Sequence, residues 1–72
     1  MTPKQIRRMA AGMELRLNWV TDRMWRLRDA ACAGDALAEA VADALEAEQI
    51  GPSTAVVDVV ERTIQEWEQT RD

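Results

Sequence analysis

Apolar side chains recur near the N-terminus at Ile6, Met9, Met13, Leu17, Val20, Met24, Leu27 and Ala31, in steps of three and four residues. That spacing lays one stripe along a helix, and its length gives it the form of a heptad seam. Thr2-Pro3-Lys4-Gln5 supplies the start. Threonine can cap, proline suits the first helical position, and Gln5 can close a capping box. The stripe predicts one long helix over about residues 3–33. Gly12 is its weak point, costing roughly 1 kcal/mol against alanine, and is the place where a kink is expected. Gly34 suits the left-handed position after a helix end, and Asp35 suits the cap of the next helix.

A second helix is predicted over about 35–49. Leu37, Val41 and Leu45 lie on one face, with Ala38, Ala42 and Ala44 beside them, so this helix should pack closely. Ile50-Gly51-Pro52-Ser53 marks the next break. A third helix over about 53–70 carries the stripe Val57, Val60, Ile64 and Trp67. The β-branched run from Thr54 to Val60 could be read as a strand, but no other segment offers it a partner. The expected architecture is a single all-α domain of 72 residues, three helices with one long N-terminal helix and a helical hairpin. At 1.5 Å per residue the helices would span about 43, 22 and 26 Å. The hairpin cannot cover all of the first helix. Either that helix breaks, or the other two lie along it in sequence, or its overhang packs on another chain.

Composition sharpens this. A core this small rarely suffices without staples or association. Cys32 is the one cysteine and histidine is absent, so neither a disulfide nor a Cys/His zinc site is available. Self-association is therefore expected, as a homodimer in which Met9, Met13, Leu17, Val20, Met24 and Leu27 contribute to the interface. The lone thiol favours a reducing compartment, and no stretch reaches the length of a membrane span or a signal-peptide core, so a cytoplasmic location is expected. One lysine against eight arginines, with abundant alanine, suggests a GC-rich bacterial or phage gene.

Charge is unevenly divided. Residues 1–28 hold seven basic and two acidic side chains, for +5, and residues 29–72 hold two and eleven, for −9. Such a split marks either a nucleic-acid face or two segments that neutralise each other inside one fold. Beside the apolar seam runs a second stripe of Arg8, Gly12, Arg16, Trp19, Arg23 and Arg26, with Leu15 one turn before Trp19 and Trp25 on the opposite flank. Tryptophan and arginine are the side chains most enriched at binding hot spots. Leu15, Arg16, Trp19, Arg23 and Arg26 are accordingly the predicted partner-binding residues.

Catalytic chemistry finds little footing. Histidine and tyrosine are absent, Lys4 is terminal and Cys32 has no base, so no enzyme activity and no cofactor are expected. Arg28 lies one turn before Cys32, but Asp29 and Asp35 oppose any activation of the thiol, which reads as a small apolar residue at a helix end. Asp35, Glu39, Asp43 and Glu46 form a ladder along one side of the second helix, the usual solvated face, and no metal site is expected there. Gly12, Gly34 and Gly51 lie too far apart for a phosphate loop. The expected function is a non-enzymatic protein–protein interaction module, a small regulator or inhibitor of a larger protein. The alternative is a small nucleic-acid-binding protein using the Arg/Trp stripe, against which the pI of 4.7 stands. No membrane partner is expected.

Overall fold

The computed structural model describes residues 1–15, 20–48 and 55–70. They form four α-helices: α1 (Pro3–Leu15), α2 (Val20–Cys32), α3 (Ala36–Ala47) and α4 (Val56–Thr70). There is no strand among the described residues, so the all-α expectation holds. The three-helix arrangement does not. The predicted long helix over 3–33 is two separate elements, α1 and α2. The reason lies in burial. A straight helix of that length would be about 43 Å long, whereas the longest dimension of the fold is 35 Å. As two elements, the seam gives Ile6, Ala10 and Met13 from α1 and Leu27 from α2 to one common core. The expected overhang therefore does not exist. Gly12, the expected kink, sits inside α1. Leu17 of the seam lies outside the described residues.

Local chemistry explains the ends. Thr2 and Gln5 close a reciprocal capping box: the Gln5 N–H donates to Thr2 Oγ1 at 3.2 Å, and the Thr2 N–H donates to Gln5 Oε1 at 2.9 Å. Asp22 stands in the first turn of α2, where the helix dipole favours a carboxylate. Past Cys32 the chain closes a Schellman motif. The Asp35 N–H donates to the Ala30 carbonyl and the Gly34 N–H to the Ala31 carbonyl, both at 3.0 Å. Gly34 has φ +98°, as that motif requires. Asp35 then caps α3 by accepting from the Ala38 N–H at 3.0 Å. The start of α4 is capped from a distance, since Glu14 near the end of α1 accepts from the Val57 N–H at 3.1 Å. The predicted break at Gly51-Pro52-Ser53 lies outside the described residues.

α3 is the centre. Leu37, Ala38, Val41, Ala42 and Leu45 are all buried. It packs against both α2 and α4, and α1 packs against α4. Val56, Val59, Val60 and Ile64 are the buried residues of α4, with Val57 and Trp67 half-buried against the core. Three of the four seams of this ring are well packed; α1 and α2 touch only slightly. Among the described residues no helix is long and apolar enough to cross a membrane.

The packing predicts two opposite failures. Leu45→Ala, at a fully buried site, should cost about 2–5 kcal/mol through the cavity it leaves. Ala42→Leu should also destabilise, by about 1–3 kcal/mol, because α3 has no room for a larger side chain. Urea unfolding followed by circular dichroism measures both.

Candidate functional site

The slightly packed seam between α1 and α2 opens into a cleft of about 330 Å3, lined by Met1, Gln5, Arg8, Met9, Arg23 and Arg26. Arg8 comes from α1, and Arg23 and Arg26 come from α2. Asp22 is the carboxylate beside them. It accepts from Arg23 Nη1 at 3.0 Å and lies 3.3 Å from Arg26 Nε. Arg8 has no ion pair among the described residues. The guanidinium groups of Arg8, Arg23 and Arg26 thus share one cleft, with the Asp22 carboxylate on the latter two, on a chain of net charge −4. Met9 lies half-buried against the core and gives the cleft an apolar wall.

Arg7 and Arg28, also of the basic half, reach into the acidic half. Arg7 donates twice to Glu61 on α4, at 2.7 and 2.8 Å. Arg28 donates to Asp43 at 3.0 Å and clasps Glu46 at 3.0 and 2.6 Å, tying α2 to α3. Arg62 meets Glu48 at 3.3 Å. The hydrogen bond to Glu61 raises the Arg7 pKa, and those to Glu46 and Asp43 raise that of Arg28. In return Arg7 holds the Glu61 carboxyl below its usual range. Asp35 is held low by the N-terminal amine, which pairs with it, and by the Ala38 N–H.

A second concavity, of about 390 Å3, lies on another side of α2. Val20, Thr21, Met24, Trp25 and Arg28 line it, with Glu46 of α3 at its rim. Trp25 is 67% exposed.

The predicted site residues therefore separate. Arg23 and Arg26 meet in the basic cleft, joined there by Arg8. Arg16 and Trp19 lie outside the described residues; Leu15 closes α1, and its side chain is likewise outside them. Of the predicted self-association set, Met13 and Leu27 are buried in the chain's own core, while Met9, Val20 and Met24 are half-buried against it. The Trp25 groove was missed. Its signal was the spacing of Thr21, Met24, Trp25 and Arg28, which share one face of a helix that starts at residue 20. Cys32 is free and exposed. Among the described residues no group of three acidic or thiol side chains is placed to hold a metal ion. No family model, curated protein or solved structure matches the chain.

The ion pairs make stability acid-sensitive. Glu61 and Asp35 both have lowered pKa values in the fold. An unfolded chain therefore takes up protons first as pH falls. The contribution of each group is complete above the ordinary values, 4.5 and 3.8, and is lost as pH falls through the lowered ones. Urea midpoints should drop over that acid range, and Asp35→Asn and Glu61→Gln should each make the drop shallower.

Proposed function

We propose that this chain is a non-enzymatic protein–protein interaction module, a small regulator or inhibitor of a larger protein, that receives an acidic stretch of its partner in the α1–α2 cleft. The observation that carries the reading is the convergence of Arg8, Arg23 and Arg26, from two helices, on one cleft. Guanidinium groups offer forked donors that match carboxylates two bonds at a time. The thioether side chains of Met1 and Met9 add an adaptable apolar wall for neighbouring side chains. The free, exposed thiol of Cys32 supports a reducing compartment, and the cytoplasm is the location proposed.

Nucleic acid is the second reading, since the same arginines could meet phosphates. It needs an aromatic ring among the cations on which a base can stack. Among the described residues Arg8, Arg23 and Arg26 line one concavity and Trp25 another, whose cation, Arg28, is paired with Asp43 and Glu46. The remaining surface is acidic: α3 and α4 carry Glu39, Asp43, Glu46, Asp58, Glu61, Glu66 and Glu68 against Arg62, which would repel a second stretch of backbone. These points favour a short acidic segment of protein.

Fluorescence anisotropy with a labelled glutamate-rich peptide and with labelled single- and double-stranded DNA tests the choice at moderate salt. The peptide should bind, and Arg8→Ala and Arg26→Ala should each weaken it about tenfold, the loss of one charge-assisted contact. DNA binding that is tighter than peptide binding, falls steeply with salt and is lost in the same variants would replace this reading with the nucleic-acid one.

A further inference from the structure

A carboxylate of the chain's own already sits on two of the three arginines that line the α1–α2 cleft. Asp22 Oδ2 accepts from Arg23 Nη1 at 3.0 Å and lies 3.3 Å from Arg26 Nε. A single oxygen thus serves two guanidinium groups, the kind of contact a carboxylate from another chain makes with arginine. The Asp22 side chain is 54% exposed, so solvent screens both pairs and they hold it weakly. We infer that Asp22 is a competitor built into the cleft. In the free chain it occupies the guanidinium groups of Arg23 and Arg26 that an acidic partner takes in the complex, and it thereby sets the threshold of affinity such a partner must reach.

This inference rests on the acidic-partner reading and adds what regulates the site. A lone carboxylate that displaces Asp22 exchanges one pair for another of the same kind and gains little. A segment with several carboxylates also engages Arg8, which has no ion pair to break among the described residues. The charge of Asp22 further opposes any carboxylate that comes within a Debye length, about 8 Å at physiological salt. Two things keep this residue in place against that loss of affinity. Arg8, Arg23 and Arg26 share one cleft and repel one another, and a nearby carboxylate offsets this in the free chain. In the first turn of α2 the helix dipole also favours a carboxylate. The dipole alone asks for no contact with arginine; pairing with both Arg23 and Arg26 is what singles Asp22 out.

The test is fluorescence anisotropy of the full chain with a labelled glutamate-rich peptide at moderate salt, with circular dichroism as a check on folding. Asp22→Asn keeps the shape of the side chain and should bind the peptide about three- to tenfold more tightly than wild type, the contribution of two exposed pairs that no longer have to be broken. Asp22→Ser, with a small polar side chain in the same turn, should gain as much. In an Arg26→Ala background the gain from Asp22→Asn should shrink to about twofold or less, because one of the two pairs is already gone. Asp58→Asn removes the same charge from α4, outside the cleft, and should leave the affinity unchanged. Wild-type binding that Asp22→Asn and Asp22→Ser leave equal or weaker overturns this inference alone, and makes Asp22 a support for the arginines. An equal gain from Asp58→Asn overturns it as well, by assigning the effect to net charge. No peptide binding by wild type or by either Asp22 variant overturns the acidic-partner reading and this inference with it.

Discussion

Everything in this fold depends on how closely α3 lets its neighbours approach. Ala38 and Ala42 have no exposed surface, and they alternate with Val41 and Leu45, which have none either. Small side chains there bring α2 and α4 up to the α3 backbone on two sides. Each large side chain they carry, Leu27 from α2 and Val60 and Ile64 from α4, fills space that a bulkier α3 would occupy itself. With α2 and α4 in place, α1 completes the core by packing against α4. The fourth seam is the one that α3 does not organise, and it is the one left open. The cleft is thus a consequence of how the core is filled.

The charge split then acquires a structural meaning. Arg7 and Arg28 are partly exposed, and solvent screens pairs of that kind so that they contribute little to stability. Their value lies in choice of neighbour: each matches a basic helix to the acidic helix it packs on, α1 to α4 and α2 to α3. The reverse pairing would place Arg28 away from Asp43 and Glu46. Arg7, Arg28 and Arg62, which pair across the fold, are not in the cleft. Arg23 and Arg26 lie in the cleft instead, and pair with Asp22 of their own helix. One sequence feature, a basic first half, has become a set of internal ties and a separate positive cleft.

The sequence made much of this readable. The caps at Thr2 and Asp35, the left-handed Gly34 and the stripes of α3 and α4 follow from local rules that the tertiary structure does not override. The break between α1 and α2 was hidden for a physical reason. The steps from Met13 through Leu17 to Val20 keep the heptad spacing, so periodicity runs from α1 into α2 with nothing to mark them as separate elements. Gly12 drew attention by its low propensity, yet a single glycine costs too little to end a packed helix. Asp22 was the better signal, because a carboxylate is most favourable in a first turn. The site shared the same fate. Arg8, Arg23 and Arg26 were recognised as one stripe along one helix; the fold brings the same residues together from two helices, across the open seam. Trp25 was placed on an opposite flank, with nothing in the pattern to say whether that flank meets a neighbour or water.

The helix least committed to the core is also the one that carries the features available for binding. Of its residues only Leu27 is fully buried, whereas α3 buries five and α4 four. Val20, Met24 and Ala30 lie half-buried against the core, Arg23 and Arg26 turn to the cleft, and Arg28 ties the helix to α3. A helix held this way gains little from propensity and much from contacts. Anything that occupies either side of α2 therefore adds to the stability of the fold as well as to its own affinity, since a ligand of the folded state stabilises it in proportion to how far its concentration exceeds its dissociation constant. In a small fold, where core burial gives modest stability, the proposed binding surface and the stability problem meet on α2.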